Sequence, residues 1–244
     1  MGDSIYRLRP ANELTLDELE NHYLWFSKPY GFKDVEDANI GLFIEKNKIV
    51  KDALSQVYCS EQIDELISKM RHIGICCFTT SIPTDNEKLS FPKGHKSIVI
   101  EYSKAAISNF FYNSKYAITN CFKPIVYTDE PILIETDDEY HYLYSKNEDG
   151  CFYKSIKELK LHPRYEDCFL FFLLLRLNSR FKVQKEERII LSGHNIKEFD
   201  DSIKGYSIGI PAECIKCIHY YSDCSENFLI SIKSLGYNVK EIQS

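Results

Sequence analysis

The chain has 244 residues, of which 44% are hydrophobic and 27% are charged, and its formal net charge is −6. So large an apolar share can offset the entropy lost on folding, which excludes an intrinsically disordered chain. The negative charge argues against a duplex-binding scaffold, which is usually basic. Because no linker, low-complexity stretch or repeat interrupts the sequence, we expect a single domain over residues 1–244.

Nine cysteines are scattered along the chain, and no apolar signal-peptide core precedes them. We therefore expect a reduced, cytoplasmic compartment in which the cysteines pack as small hydrophobic residues. The adjacent Cys76 and Cys77 lie in an apolar segment and would point to opposite faces of a strand, which favours packing over redox chemistry. The longest apolar run, residues 168–175, is far shorter than the roughly 20 residues of a membrane span, so no membrane partner is expected.

The first half of the chain mixes strand and helix patterns. In chain order they predict a strand at 5–9, a helix at 15–21, a strand at 23–29, helices at 41–58 and 60–74, strands at 74–80 and 95–103, and a short helix at 103–111. The first helix is assigned because Thr15 and Glu18 match the S/T-x-x-E capping box. The polar segment 81–94 predicts a long loop, and such loops often carry function.

The second half continues in the same mixed way. Its patterns predict a strand at 123–132, a helix at 165–181, a strand at 186–193, a strand–helical turn–strand unit at 206–221, and a closing helix that Gly236 ends before a last strand. Without strict β-α-β alternation, this order favours an α+β fold with a mixed, largely antiparallel β core flanked by helices. The sequence contains no phosphate-cradling G-x-G-x-x-G and no Walker loop.

Two charged residues open the strand predicted at 186–193. The period of two places Glu186 and Arg188 on one face of that strand. A carboxylate beside a guanidinium stays ionised and oriented, and it can accept a hydrogen bond from a substrate hydroxyl. The alternative is a solvated strand edge.

A second candidate pair belongs to the strand predicted at 95–103. His95 stands where this strand leaves the polar loop, and Glu101 lies six residues further on, so both side chains share a face. The alternative is an exposed strand start with an edge glutamate.

A zinc site is conceivable at Cys214-x-x-Cys217-x-His219 with Cys224 nearby, because these residues offer four nitrogen or sulfur donors. Cys217 and His219 would share a strand face, but Cys214 belongs to an apolar pattern with its neighbours. A second close pair of ligands, well separated in sequence, is missing. We therefore expect core cysteines here and no bound metal.

Five blocks of the sequence follow one another in the order of a known bacterial family. They resemble the family catalogued as domain of unknown function 2971, whose pattern has a Tyr-Lys-Tyr strand, a Leu-Trp-Phe-Ser block, a Cys-Phe-Ser strand, a strand with His-Lys-Gly and a late Glu-x-Arg-Ile strand. The corresponding blocks here are residues 6–8, 24–34, 77–79, 91–102 and 181–189.

This resemblance implies a set of polar site residues. The family's signature positions are kept at Asp34, His95, Glu101, Glu186 and Arg188. Other signature positions differ from the family pattern, at residues 33, 35, 87–91, 97 and 184. These departures imply a derivative with weakened or altered activity.

The order of the blocks is also similar to that of ADP-ribosyltransferases, including DNA-targeting bacterial toxins. Those enzymes place a basic or histidine residue on the first strand, a Ser/Thr strand midway and a glutamate on a late strand. The likeness implies that Arg7 contacts the NAD pyrophosphate, Thr79 supports the site and Glu186 is catalytic. Together with the first resemblance it implies a catalytic group of Glu186, Arg188 and His95, and a cofactor-binding group of Arg7, Asp34, Thr79 and Glu101.

The implied reaction is cleavage of the nicotinamide–ribose bond of NAD through an oxocarbenium-like state that a carboxylate stabilises. NAD would be the substrate, and a protein side chain, a nucleobase or water would be the acceptor, as in a bacterial toxin or phage-defence protein. Two alternatives stay open. One is a non-catalytic sensor or interaction module. The other is a hydrolase or nuclease that holds a divalent metal ion with Asp34, Glu101 and Glu186.

Overall fold

The computed structural model describes residues 3–29, 55, 59–70, 72–91, 96–127, 145–146, 152–153, 174–191 and 204–243. Within these ranges the fold is α+β, with a mostly antiparallel, open nine-stranded sheet and a few helices. The strands are β1 Ser4–Pro10, β2 Tyr23–Ser27, β3 Gly74–Thr79, β4 Ser97–Ser103, β5 Lys123–Pro124, β6 Val126–Tyr127, β7 Ser145–Lys146, β8 Phe152–Tyr153, β9 Arg176–Leu177, β10 Glu186–Leu191, β11 Gly205–Gly209, β12 Ile215–Tyr220 and β13 Val239–Glu241. The helices are α1 Glu13–Glu20, α2 Ser60–Met70, α3 Lys104–Asn113 and α4 Glu226–Ser234, and shorter 3-10 turns lie at 87–90, 179–184 and 212–214.

The main sheet has the strand order β11-β2-β3-β1-β4-β12-β13, and β10 joins it through β3 and carries β5 on its other side. All of its pairings are antiparallel except that of β12 with β13. One edge of β3 pairs with β10 along its whole length. The opposite edge is shared, because Thr79 lies opposite Tyr6 of β1 while Ile75 lies opposite Ser27 of β2. The strands β1 and β2 therefore diverge from a common neighbour.

One face of this sheet carries the hydrophobic core. Alternate residues of the strands point to it, and α3 and α4 cover it with their apolar sides. The residues of this core are fully or almost fully buried, and they include Ile5, Phe78, Ile100, Tyr102, Phe111, Ile189, Ile218, Phe228 and Ile232. The opposite face of the same strands carries the polar side chains of the candidate site beside buried apolar residues such as Ile75, Val99 and Ile190.

Most of the predicted strands are confirmed, with their ends shifted by a few residues. The strands β1, β2, β3, β4 and β10 lie where the alternating patterns placed them. The strand–turn–strand unit at 206–221 is confirmed as β11, a 3-10 turn and β12. The closing helix is confirmed as well, and Gly236, with φ +85°, follows its end before the last strand.

The capping box predicted at the first helix is wrong. Helix α1 begins at Glu13, and the Asn12 side chain caps it by accepting the backbone N–H of Thr15 at 3.1 Å. Thr15 therefore lies inside the helix, where its hydroxyl donates to the Pro10 carbonyl at 2.7 Å. The Glu18 carboxylate pairs with Arg7 of β1.

Two other predicted elements also differ from the structure. The helix expected at 165–181 does not continue through its last part, where β9 and a 3-10 turn capped by Asn178 stand instead. The strand expected at 123–132 begins as two short strands, β5 and β6, with Ile125 between them donating its N–H to the Glu186 carbonyl. The helix predicted at 41–58 lies outside the described residues except for Ser55.

Candidate functional site

A row of side chains crosses the polar face of the sheet over five neighbouring strands. Glu186 of β10 lies opposite Thr79 of β3, Thr79 lies opposite Tyr6 of β1, Tyr6 lies opposite Glu101 of β4, and Glu101 lies opposite Cys217 of β12. Directly paired residues of antiparallel strands point to the same face. We call these five residues the polar row.

The Glu186 end of the polar row is a buried ion pair. Arg188 Nε donates to Glu186 Oε1 at 2.6 Å, and Arg188 Nη2 reaches Glu186 Oε2 at 3.3 Å. Arg188 Nη1 donates to the Leu174 carbonyl at 2.7 Å, and the Arg188 side chain is wholly buried. The predicted shared face of Glu186 and Arg188 is confirmed. The guanidinium thereby holds the carboxylate in one orientation.

Two hydroxyl groups lie beside this pair. The backbone N–H of Glu186 donates to the Tyr127 hydroxyl oxygen at 2.7 Å, and burial raises the pKa of Tyr127 to about 12. The Thr79 hydroxyl donates to the Ser81 carbonyl at 3.1 Å, next to the carboxylate across the β3–β10 ladder. Tyr127 therefore contacts the backbone of Glu186, and Thr79 is the residue opposite Glu186 in the ladder.

The Glu101 end of the row is a second polar cluster. Ser4 Oγ donates to Glu101 Oε1 at 2.6 Å, and His219 Nε2 lies 2.8 Å from Glu101 Oε2. Lys216 Nζ lies 3.5 Å from Glu101 Oε1. Burial alone would raise the pKa of Glu101, but the hydrogen bonds from Ser4 and His219 and the charge of Lys216 outweigh it and lower that pKa. Glu101 is therefore a half-buried carboxylate that stays charged.

Arg7 lies on the opposite, core-bearing face of the sheet. Its cross-strand partner is Ile100, and its guanidinium pairs with Glu18 and donates to the Trp25 carbonyl at 2.7 Å. Arg9 Nη2 also reaches the Glu18 carboxylate, at 2.6 Å. The structure therefore does not bring Arg7 together with Glu186, Thr79 or Glu101.

The remaining predicted site residues are placed as follows. Glu101 and Glu186 are separated by three strand spacings, which is roughly 14 Å, so the two carboxylates do not share one metal ion. Asp34 and His95 lie outside the described residues. Cys214 belongs to the hydrophobic core, as expected, whereas Cys217 and His219 share the polar face with Glu101.

The sequence interpretation missed two residues of this face and one pairing. Tyr6 stands in the middle of the polar row, and Tyr127 touches the Glu186 backbone. His219 was considered only as a zinc ligand, and its contact with Glu101 was not predicted. The alternation within β1 was a usable signal for Tyr6, since this residue has the opposite parity to the buried Ile5 and Arg7. No comparable signal links Tyr127 or His219 to their partners, because those contacts depend on strand order.

The adjacent cysteines Cys76 and Cys77 differ in burial because they lie on opposite faces of β3. Cys76 is buried in the core and burial raises its pKa to about 12, while its neighbour Cys77 on the other face is half-buried. All seven cysteines in the described ranges are free thiols. The predicted opposite orientation of this adjacent pair is therefore confirmed.

No helix within the described ranges is both long and apolar enough to cross a membrane. The family resemblance based on the five sequence blocks stays a prediction. Comparison of the chain with protein-family models, with curated proteins and with solved structures gives no match.

Proposed function

We propose that the chain cleaves the nicotinamide–ribose bond of NAD, as an ADP-ribosyltransferase or an NAD glycohydrolase, with Glu186 as the catalytic carboxylate. The Glu186–Arg188 pair opposite Thr79 carries this proposal. It holds the Glu186 carboxylate, which is 7% exposed, in one orientation on the face of the sheet opposite the hydrophobic core. Such a carboxylate can stabilise positive charge that develops on a bound ribose.

In the proposed reaction, the main contribution of the protein is the negative charge of the Glu186 carboxylate. The bond between ribose C1′ and the nicotinamide nitrogen breaks, and its electron pair leaves with nicotinamide, whose ring nitrogen starts cationic and becomes neutral. Glu186 stabilises the oxocarbenium-like ribose and accepts a hydrogen bond from its 2′-hydroxyl. A nucleophilic side chain, a nucleobase or water then forms the new bond to C1′ and releases a proton.

The geometry around Glu186 leaves acceptor capacity for the ribose hydroxyl. Arg188 uses one acceptor direction on each carboxylate oxygen, and a carboxylate offers about four such directions. Tyr6, two strands away in the polar row, provides a ring against which a flat aromatic group can pack. Arg7 has no part in this arrangement, because its guanidinium is committed to Glu18 on the other face.

The direct test is release of nicotinamide from NAD by the full chain. Glu186→Gln keeps the shape of the side chain and removes its charge, and we expect release to fall by roughly 10²-fold or more. Glu187→Gln is the matched control, since Glu187 lies next in the strand, points to the opposite face and pairs with Lys104 at 2.6 Å. Circular dichroism checks that both variants fold.

Absence of nicotinamide release by the wild-type chain, with each acceptor class supplied, contradicts the proposal. Release that is equal in the Glu186→Gln and Glu187→Gln variants contradicts the role of Glu186.

A second candidate is a non-catalytic sensor or interaction module. This candidate is favoured because Arg7, the residue expected to hold the pyrophosphate, lies on the face of the sheet opposite Glu186. Calorimetric titration with NAD distinguishes the two candidates. Binding without nicotinamide release supports a sensor, whereas release that depends on Glu186 excludes a purely non-catalytic role.

A further inference from the structure

Three side chains with donor atoms of the kinds that bind metal ions meet at the end of the polar row. The donor atoms of Glu101, Cys217 and His219 all lie within 4.8 Å of one another. The register explains this meeting, because Cys217 lies opposite Glu101 and His219 follows two residues later on the same face of β12. Two adjacent strands of the sheet therefore hold the three donors, and no loop is needed to gather them.

We propose that Glu101, Cys217 and His219 bind one zinc ion through their side chains. A thiolate, an imidazole and a carboxylate are the three donor types that proteins use for zinc. Three protein ligands leave a fourth position of the tetrahedron for water or another small ligand. This site is independent of the proposed NAD chemistry at Glu186.

The geometry requires only small side-chain movements to accept the ion. Zinc bonds of roughly 2.0–2.3 Å place neighbouring donors roughly 3–4 Å apart. The distance of 2.8 Å between Glu101 Oε2 and His219 Nε2 would open by a few tenths of an ångström. The Cys217 thiol now donates to the Asn238 carbonyl at 3.4 Å, and its proton would pass to solvent as the thiolate binds.

The surroundings keep one carboxylate oxygen available for the ion. Ser4 and Lys216 both contact Glu101 Oε1, whereas Oε2 faces His219. Cys217 and His219 are 3% and 8% exposed, so a bound ion would be held away from bulk water. A negatively charged carboxylate in a half-buried place also offsets the charge of the cation.

This site differs from the zinc pattern considered in the sequence. The expectation of no metal rested on Cys214, which lies in the core, and on the missing second pair of ligands. The structure supplies the third side chain from the neighbouring strand β4, although Glu101 is separated from Cys217 by 116 positions of the chain.

The test uses the full chain after treatment with a chelator, and cobalt(II) is the spectroscopic probe. We expect one cobalt ion per chain with an absorption band for charge transfer from thiolate to cobalt, and loss of that band when zinc is added. Cys217→Ser should abolish the band, and His219→Ala should weaken binding by more than about tenfold. Cys214→Ser and Cys224→Ser are the matched controls and should keep the band.

The result that overturns the proposal is a folded wild-type chain without a thiolate–cobalt band. A band that persists in the Cys217→Ser variant also overturns it, because the thiol ligand would then lie elsewhere. Circular dichroism of each variant separates lost binding from lost folding. Nicotinamide release has no part in this experiment, so failure of the metal site and failure of the proposed function remain distinguishable.

Discussion

Arg188 Nε donates a 2.6 Å hydrogen bond to the carboxylate of Glu186, two residues earlier on the same strand. The same guanidinium donates to the Leu174 carbonyl, and its side chain is wholly buried. A buried pair of this kind orients the carboxylate for chemistry and at the same time connects β10 to the segment before β9. Its two roles can be separated by comparing stability with activity.

Replacing Arg188 by Met should destabilise the fold, because the Glu186 carboxylate would stay buried without its cation. We expect the free energy of unfolding to fall by roughly 3–5 kcal/mol, measured by urea denaturation. Adding Glu186→Gln to Arg188→Met should recover part of that loss, since the buried charge is then removed. A double variant as unstable as the sum of the two single variants contradicts this coupling.

Removing the charge of Glu18 should destabilise the opposite face of the sheet. Glu18→Gln leaves the guanidinium groups of Arg7 and Arg9 without their shared carboxylate, and we expect a loss of roughly 3–5 kcal/mol in the free energy of unfolding. Because Glu186 lies on the other face, nicotinamide release per folded molecule should stay unchanged. A selective loss of release would instead indicate that Arg7 takes part in the proposed site.

Two glycines at the ends of β11 provide a matched test of packing. A Cβ atom on Gly205 would lie 2.4 Å from the Phe26 carbonyl oxygen and 2.6 Å from the Trp25 ring, whereas one on Gly209 meets nothing within 4 Å. We expect Gly205→Ala to cost roughly 1–3 kcal/mol through overpacking. Gly209→Ala should stay within about 1 kcal/mol of the wild type. Thermal unfolding measures both, and equal melting temperatures would contradict the close approach of β2 and β11.

The turn before α4 should contribute stability that depends on pH. Burial alone would raise the pKa of Asp223, but Lys88, at 3.1 Å, and the backbone N–H of Lys96 outweigh it and hold that pKa below its ordinary value of 3.8. A carboxyl group with a lowered pKa stabilises the fold above its unfolded pKa, and this contribution is lost as the pH falls through the folded pKa.

Asp223→Asn should therefore lower stability at pH 7 by less than about 1 kcal/mol, since the carboxylate is partly exposed. The difference between variant and wild type should close in acid, once the pH has fallen below the lowered folded pKa and the wild-type carboxyl group is protonated. Urea denaturation at the two pH values checks both expectations. A difference that persists in acid would show that the side chain acts through packing rather than charge.

The sequence predicted that Glu186 and Arg188 lie on one face of their strand, but it did not predict that Arg7 lies on the opposite face of the sheet. Alternation within one strand was enough to place Glu186 and Arg188 together, because that relation is local. The position of Arg7 on β1 was predicted as well, yet its face relative to Glu186 depends on the register between β1, β3 and β10. Register arises from contacts between distant segments, and a single strand pattern does not contain it.

Helix α1 was predicted less well than the strands. Thr15 and Glu18 match the capping box by spacing, but Asn12, three residues before Thr15, caps the helix. Glu18 instead pairs with Arg7 of β1, and this tertiary contact is not contained in the helix sequence. The pairing of Glu101 with His219, 118 positions away, escaped prediction because the order of β4 and β12 in the sheet creates it.

The Arg7 guanidinium connects β1 and β2, the two strands that share one edge of β3. This side chain starts on β1 and donates to the Trp25 carbonyl of β2, so it bridges two strands that separate from the same neighbour. The sheet therefore branches at β3, with β1 in one branch and β2 in the other. The charged Arg7 side chain makes a direct contact between the two branches. Loss of this hydrogen bond would remove a direct contact between the two branches of the sheet, whereas the pairing of both branches with β3 would remain.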